Sequence, residues 1–468
     1  MNARSRDAWD ALRASYWFVP ILLAVAAGML SMVTLAIDEA VAREALGGTA
    51  LAGGADGART LLSTVAASMI TVAGVVFSIM IVAMTLASVQ FGPRLLRNFM
   101  RDLGNQVALG VFVADFLYCI LVLRTVRDAG DPAGVFVPNL SVTVAVAMTV
   151  ASLGVFIFFI HHAAASIQVG QIISVASRDL DRAIDDLYPE RLGHDPPDAV
   201  DPRLLVPPEL EREGRPVPAT GTGYVEVIDV NGVMSLAVGR DLVVSLGVRP
   251  GMFVEPDNVL ARVWPPDRAD GRVIRKLDRA VLLAPQRTEV QDVEFAIQQL
   301  VQVAVRALSS AINDPWTAFM ALDRLGAALS RLCARHRPSP FRFDGQDRLR
   351  VIADAATFDA LVSQAFTEIR HAGRSNLLVT VRLLETIAVV AEHAHRHDEL
   401  AALRRHADRV EHGSTHTLPE EWERRIIEER YRQALEILGA RDATAAPDAT
   451  AAPDPASPDA ASVAISAR

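Results

Sequence analysis

The run WFVPILLAVAAGMLSMVTLAI, Trp17–Ile37, decides the class of this protein, because it holds 21 consecutive residues without a charge. As an α-helix it is about 32 Å long, which is enough to cross the hydrocarbon core of a bilayer. Arginines precede the run and Ala40-Val41-Ala42 follows it, as in a cleavable signal peptide. The apolar segment of a signal peptide is usually only about 7–15 residues long, so we expect a retained membrane span.

Three further apolar runs follow, and together the runs predict four membrane helices at about residues 17–37, 62–90, 107–123 and 138–160 of a membrane region 1–165. Four spans put both termini on one side of the membrane. Seven arginines flank the spans on that side and four on the other, so the positive-inside rule predicts an inner (plasma) membrane protein with cytoplasmic termini. The seven are Arg4, Arg6, Arg13, Arg94, Arg97, Arg101 and Arg178, and the four are Arg43, Arg59, Arg124 and Arg127.

The composition excludes several classes of protein. With 51% hydrophobic and 22% charged residues, the chain is neither wholly disordered nor fibrous. The net charge of −9 argues against nucleic acid as a partner. Lys276 is the sole lysine, which removes lysine-dependent motifs almost everywhere. Cys119 and Cys333 are too far apart in sequence for a metal knuckle and too few for a disulfide framework.

The remainder of the chain changes character several times. Apolar residues continue at helical spacing after the fourth span, which predicts an amphipathic stalk over 166–188. Eight prolines in 189–220 predict a stiff linker, and alternating residues in 221–287 predict a small β module with a helix capped by Asp229. We expect a helical cytoplasmic domain over 288–438, where Asp314 and Pro315 suit a helix start, and a disordered tail over 439–468.

Within the β module, Val248–Val254 and Val259–Val263 resemble the barrel-sandwich hybrid of lipoyl, biotinyl and membrane-fusion adaptor domains. The carrier families place a modified lysine at a hairpin tip, whereas Lys276 lies outside the matching stretch. We therefore expect a scaffold role for this module. The predicted fold class is mainly α: a four-helix transmembrane bundle, a cytoplasmic stalk, a small barrel-sandwich-like β module and a helical C-terminal domain.

Four motifs carry a more specific resemblance: Thr71–Ser78, Gln90–Phe99, Gln291–Ile297 and Ala311–Ala318. They are similar to motifs of the bacterial membrane-protein family known as domain of unknown function 2254, and the similarity covers about residues 11–400. The resemblance implies a multi-pass membrane protein with a cytoplasmic domain, and it implies no activity.

Two features within the spans are candidates for an ion path. Hydroxyl side chains repeat on one face of the second span, and we call them the hydroxyl stripe: Thr64, Ser68, Thr71, Ser78 and Thr85. Such a stripe lines a water or ion path, or it packs against another helix, and packing is the commoner role.

Asp115 lies near the middle of the third span, where an aspartate costs roughly 2.5–3.5 kcal/mol on insertion scales. Such a residue is a cation or proton site, or it is a structural carboxylate satisfied by the hydroxyl stripe or by Arg124. The sequence leaves both roles open.

Two more clusters suggest ligand contacts. Arg94, Arg97 and Arg101 fall on one helix face after the second span, where they contact lipid headgroups or anions, or only fix the topology. Four polar residues of the family motifs are candidates for a cytoplasmic ligand site between two helices, although caps and solvated faces explain each one separately: Asp292, Glu294, Asn313 and Asp314.

The sequence offers little for catalysis or metal binding. His393 and His397 are spaced as a metal pair on one helix face, but no third ligand accompanies them, so we expect an exposed polar helix and no metal. Phosphate-binding and nucleophile-elbow motifs are absent, and we expect neither a cofactor nor an enzyme.

The leading hypothesis is an oligomeric channel or transport protein for an ion or small solute, in which a cytoplasmic domain regulates a path lined by the stripe and Asp115. Four spans make only a small pore, so we expect a homo-oligomer in the lipid bilayer. The alternative is a membrane-anchored sensor or scaffold whose cytoplasmic domain binds a ligand or a partner protein.

Overall fold

The computed structural model describes residues 17–44, 54–91, 102–128, 135–166, 168–187, 202–288, 290–335, 339–354 and 356–445. The chain divides into two compact units, Met1–Ile172 and Ile173–Arg468, which we call the membrane unit and the C-terminal unit. The predicted fold class is confirmed, because both units are mainly helical and the strands are confined to two small sheets.

Among its described residues, the membrane unit contains four helices that are long and apolar enough to cross a bilayer, as predicted. They are α1, Phe18–Glu44; α2, Gly54–Phe91; α3, Leu103–Leu123; and α4, Asn139–Ser166. In the most apolar stretch of α3, 56% of the residues are buried, whereas 17–22% are buried in the corresponding stretches of the other three helices. Helix α3 is therefore the central helix.

Small residues allow α3 to lie close to its neighbours. A Cβ atom at Gly110 would come within 3.0 Å of the Pro20 Cα atom on α1, so glycine favours this close approach. In one apolar cluster of the bundle, Leu62 of α2, Tyr118 of α3 and Ala145 of α4 are completely buried. A core of this kind is typical of membrane bundles, which lack a hydrophobic force between helices and depend on close packing.

The C-terminal unit begins within a helix, and a small α/β region follows. Among the described residues, six further helices come next, with a β-hairpin between the second and the third. The first helices are α5, Val169–Leu187; α6, Leu210–Glu213; α7, Val230–Arg240; and α8, Gly271–Ala280. The six helices are α9, Val293–Ala307; α10, Pro315–Cys333; α11, Phe358–Gly373; α12, Leu377–His393; α13, His397–Thr415; and α14, Glu421–Asp442. Short 3₁₀ turns cover Pro202–Leu205 and Pro266–Arg268.

In the part of the chain that the structure describes, eight short strands form two sheets. They are β1, Arg215–Pro218; β2, Gly223–Ile228; β3, Val243–Leu246; β4, Phe253–Val254; β5, Val259–Trp264; β6, Val281–Ala284; β7, Phe341–Phe343; and β8, Leu349–Ala353. One sheet has the order β1-β5-β3-β8-β7 and the other β4-β2-β6. Every pair is antiparallel except β3 and β8, where Val244 pairs with Val351.

The two sheets extend beyond residues 221–287, the predicted bounds of the β module. Strand β1 lies within the predicted linker 189–220. Its Pro216 and Pro218 are tolerated because β1 is an edge strand, where missing amide donors cost little. Strands β7 and β8 lie within the predicted helical domain 288–438. Strand β8 nevertheless pairs with β3, about a hundred residues earlier in the chain. The β module therefore needs a hairpin from a distant part of the chain.

Helix starts follow local chemistry that the sequence shows. The side chains of Asp229 and Asp314 accept backbone N–H groups at the starts of α7 and α10, as predicted. Thr357 and Asn376 cap α11 and α12 in the same way. Helix α14 continues to Asp442, four residues into the predicted tail 439–468, and the tail beyond residue 445 lies outside the described residues.

The predicted stalk corresponds to α5, which packs as an amphipathic helix in the C-terminal unit. Its apolar side chains Leu180 and Ile184 are fully buried. On its polar face, Asp185 accepts hydrogen bonds from Arg331 of α10 and from Arg335, each at 2.6 Å. The end of the stalk is thus fastened to the helical layer of its own unit.

Candidate functional site

In the membrane unit, Asp115 is fully buried and lies between α3 and α4. Its Oδ2 atom accepts a hydrogen bond from the Ser152 hydroxyl at 3.0 Å, and its Oδ1 atom lies 3.7 Å from the Cys119 thiol. The partners come from α3 and α4, and no bond from the hydroxyl stripe or from Arg124 reaches this carboxylate among the described residues. Asp115 therefore links two helices of the bundle.

The hydroxyl stripe lies elsewhere. All five of its side chains are exposed on the surface of the single chain, opposite the buried face of α2 that holds Leu62, Val76 and Met80. The hydroxyls of Ser68, Thr71, Ser78 and Thr85 donate to carbonyl groups four residues earlier in the same helix. The structure of one chain therefore does not bring the stripe and Asp115 onto one path.

A second polar cluster near one end of the bundle was not anticipated from the sequence. Asp38 of α1 accepts hydrogen bonds from the amides of Leu140 and Ser141 at the start of α4. The Tyr118 hydroxyl of α3 is 2.9 Å from that of Thr34. Hydrogen bonds in this small polar region therefore join α1 to both α3 and α4.

The residues Arg94, Arg97 and Arg101 lie outside the described residues, so their predicted headgroup contact stays a prediction. Near the start of α3, Asp102 accepts a backbone bond from Asn105 and pairs with His162 of α4 at 2.7 Å. A Cβ atom at Gly104 would lie 2.7 Å from His162 Nε2, so a side chain there would displace the His162 ring from its present position.

In the C-terminal unit, the motif Gln291–Phe295 is the centre of a polar site, and each polar side chain has a different partner. Gln291 accepts a hydrogen bond from the Ile228 amide at the end of β2. Asp292 accepts the Phe295 amide at the start of α9. These two bonds fix the start of α9 against the three-stranded sheet.

Two ion pairs complete this site. Arg287 donates to Asp292 through Nε at 2.9 Å and through Nη2 at 2.7 Å. Arg249 donates to Glu294 at 2.8 Å. Burial raises the pKa of the Asp292 carboxyl, and the charge of Arg287 opposes this rise. Both Arg287 nitrogens donate to the same oxygen of Asp292, Oδ2, while Oδ1 accepts the Phe295 amide.

The turn after Arg249 explains why a glycine lies beside these pairs. Gly251 has a φ angle of +86°, a conformation that side chains rarely adopt. A Cβ atom there would overlap the Asp292 carboxylate and would lie 2.7 Å from Arg287 Nη2. The turn can pack directly onto the Arg287–Asp292 pair only because it has no side chain at residue 251.

A cavity of about 170 Å³ opens beside the motif. Its wall joins four parts of the C-terminal unit: the end of α5, the β2–α7 junction, the turn at Arg249 and the β7–β8 hairpin. The lining residues include Leu187, Ile228, Leu246, Val248, Arg249, Glu294, Arg342 and Asp354. A small, mainly apolar cavity with a few polar groups has the character of a ligand site.

The structure does not bring together all four residues of the predicted ligand site between two helices. Asp292 and Glu294 line the cavity at the start of α9, whereas Asn313 and Asp314 follow its end. Because α9 has 15 residues, about 22 Å of helix separates the two pairs. Asp314 caps α10, and Asn313 has a φ angle of +50° in the preceding turn.

His393 and His397 do not share a helix face, because the two residues lie in different helices. His393 ends α12, and its ring contacts the Val389 carbonyl. His397 starts α13, and its ring lies 2.7 Å from Asp442 of α14. Within the described ranges, no three His, Cys, Asp or Glu side chains are grouped to hold a metal ion.

Sequence reasoning missed the arginines of the cavity and the partner of Asp115. Arg249, Arg287 and Arg342 belong to a turn, a loop and an edge strand, and only the three-dimensional fold brings them to α9. Nothing in the sequence around Ser152 indicates that it binds Asp115, although serine is common at helix contacts in membranes. The stretch Val248–Val254 stands out in the sequence, but the contact of Arg249 with Glu294 of α9 does not.

Four membrane helices followed by a C-terminal unit of helices and two small sheets define a multi-pass membrane protein. The chain belongs to the family described as predicted membrane protein, domain of unknown function 2254 (DUF2254), whose model matches residues 13–389. This confirms the family that the motifs indicated.

Two relatives are similar over most of the chain. An uncharacterized protein of Mycobacterium tuberculosis and one of Mycobacterium bovis are each 31% identical over 396 residues, which covers 84% of this chain and 74% of each relative. No solved structure matches the chain.

Proposed function

We propose that this protein is a membrane-anchored sensor whose C-terminal unit binds a small molecule in the cavity beside Gln291–Glu294. The observation that carries the proposal is the make-up of the cavity wall, which includes both the motif and Leu187, the last residue of the stalk α5. A ligand in the cavity contacts α5, the helix that follows the fourth span in the chain. Occupancy thus has a direct covalent route to the membrane.

The stalk is suited to transmit such a signal. Its buried face packs within the C-terminal unit, and Asp185 is held by two arginines close to the cavity end of the helix. Helix shifts of about 1–2 Å are a common form of switching at packed contacts. We further propose that the protein lies in the inner membrane with cytoplasmic termini, as the arginine distribution favours.

The test uses the full chain in detergent, in a Cys119→Ala variant that keeps Cys333. Cys333 is 4% exposed in α10, so a thiol-reactive fluorophore reports the unfolding of the C-terminal unit. We expect at least one member of a panel of amino acids, carboxylates, sugar phosphates, nucleosides and polyamines to raise the unfolding temperature.

A cavity-filling variant tests the position of the ligand. Ala353→Phe places a large ring at the cavity wall and should abolish the rise, whereas Ala440→Phe on the exposed face of α14 should preserve it. If no compound class stabilises the protein, or if Ala353→Phe leaves the rise intact, the sensor proposal is wrong.

An oligomeric channel is the second candidate function. The observation that favours it is the exposed position of the hydroxyl stripe, because polar side chains on the outside of one chain are suited to contact a second copy. In this arrangement the stripe lines a path between copies, and Asp115 remains inside each bundle. We expect voltage-driven ion flux in liposomes that falls in Ser78→Leu and persists in Ser63→Leu, and flux without this difference would contradict the path.

A further inference from the structure

Six charged side chains surround the cavity or lie directly behind its wall, three of each sign. They are Arg249, Arg287 and Arg342, and Asp292, Glu294 and Asp354. Four of them neutralise one another: Arg249 with Glu294 at 2.8 Å, and Arg287 with Asp292 at 2.7 Å. One arginine and one carboxylate are left over.

Neither Arg342 nor Asp354 has a side-chain hydrogen bond or an ion pair with any residue that the structure describes, and Asp354 is exposed. Arg342 is partly buried on β7, and burial alone lowers the pKa of its guanidinium. An arginine nevertheless keeps its proton in proteins, so the side chain bears an uncompensated charge at the cavity wall. Desolvating a charge without a partner is unfavourable, and an arriving anion removes this cost.

The rest of the wall sets the size and polarity of the ligand. Ile228, Val230, Leu246 and Val248 present apolar side chains, and Ala353 leaves space at the end of β8. The volume of about 170 Å³ lies below the roughly 300–1,000 Å³ of sites for drug-sized ligands. The cavity therefore fits a small molecule with an apolar part.

We infer that the ligand is a small zwitterion of the amino-acid class, whose carboxylate binds Arg342, whose ammonium group binds Asp354 and whose apolar side chain contacts the aliphatic wall. When Arg287 is counted, which pairs with Asp292 behind the wall, three cationic and three anionic side chains balance one another. This balance opposes a ligand with a large net charge, such as a polyphosphate. A guanidinium binds a carboxylate through two parallel hydrogen bonds, which gives orientation as well as affinity. This inference rests on the proposed function of the same cavity.

The experiment measures thermal stabilisation and affinity of the full-length Cys119→Ala protein with four probes. L-leucine carries both charges, 4-methylpentanoate only the carboxylate, 3-methylbutylamine only the ammonium group, and inorganic phosphate neither the ammonium group nor the apolar chain. We expect L-leucine to stabilise the protein, and each singly charged analogue to bind about tenfold to a hundredfold more weakly.

Two variants assign the charges. Arg342→Gln should abolish the response to L-leucine without lowering the unfolding temperature of the unliganded protein, because it removes an uncompensated charge. Asp354→Asn should weaken L-leucine to the level of 4-methylpentanoate and leave the latter unchanged. Arg212→Gln, an exposed arginine of α6, is the matched control and should behave as wild type.

Other results overturn the inference in distinguishable ways. Equal binding of 4-methylpentanoate and L-leucine, or stabilisation by phosphate that Arg342→Gln removes, rules out a zwitterion. If none of the four probes stabilises the protein but another compound does, in a manner that Ala353→Phe abolishes, the inference falls and the sensor function stands. If no compound does so, both fall.

Discussion

Asp38 and Ser141 connect the first and fourth membrane helices through one carboxylate. The Asp38 Oδ2 atom accepts the Ser141 hydroxyl at 2.6 Å and the Ser141 amide at 2.9 Å, while Oδ1 accepts the Leu140 amide at 2.9 Å. A side chain near the end of α1 thus caps the start of α4. Free amides at a helix start are costly where water is scarce, so this contact fixes one end of the bundle.

Asp38→Ala should lower the free energy of unfolding of the membrane unit by about 1–2 kcal/mol, the usual cost of a lost cap. The measurement uses detergent-solubilised protein in a Cys333→Ala background, where the fully buried Cys119 thiol reports unfolding of the bundle. Asp56→Ala, at an exposed residue in the first turn of α2, is the control and should change little. Equal effects of the two substitutions would contradict the cap.

Gly251→Ala should destabilise the C-terminal unit by about 2–4 kcal/mol, because the new Cβ atom combines a strained φ angle with a clash against the Asp292 carboxylate. Urea unfolding in the Cys119→Ala background, followed through Cys333, measures the change. Gly239→Ala is a matched control in α7, where a Cβ atom meets nothing within 4 Å and alanine favours the helix. A neutral Gly251→Ala would show that the turn does not pack on the ion pair.

His406 should make the stability of the C-terminal unit depend on pH. It is 1% exposed, and burial, together with the charge of Arg409, lowers its pKa to about 4. The unfolded chain binds a proton near pH 6.5, so the contribution is complete above pH 6.5 and is lost as the pH falls towards 4. We expect a loss of about 1.4 kcal/mol per pH unit within this window.

Denaturant unfolding between pH 7.5 and 4.5 measures this slope in the wild type and in two variants. His406→Gln should flatten the profile below pH 6.5, and His371→Gln, at an exposed residue of α11, should keep the slope. An unchanged profile in His406→Gln would assign the acid sensitivity to other groups.

The two carboxylates Asp344 and Asp185 should differ in their effect on stability, because one is buried and the other is half exposed. Arg350 and Asp344 are each 4% exposed and lie 2.8 Å apart, whereas Asp185 is 44% exposed beside Arg331 and Arg335. Asp344→Asn should cost about 2–3 kcal/mol, since Arg350 keeps Asp241 as a partner, and Asp185→Asn less than about 1 kcal/mol. Urea unfolding of both variants gives the comparison, and a reversed order would contradict it.

The sequence by itself determined the membrane spans and many helix starts. Runs such as Trp17–Ile37 leave no alternative to a helix in a bilayer, because each backbone polar group must find its partner within the same segment. Caps such as Asp229 and Asp314 act over two or three residues, so they are visible in the order of the amino acids. Family motifs likewise identified the family from their residues alone.

Only the tertiary structure decided which polar residues meet. It joined Asp115 to Ser152 instead of the hydroxyl stripe, brought β8 beside β3, and separated Asn313 and Asp314 from Asp292 by the length of α9. Contacts of this kind depend on how whole elements pack, and no local pattern encodes the partner on another element. The same packing left Arg342 and Asp354 at one cavity wall, which is why the candidate ligand site emerged from the fold.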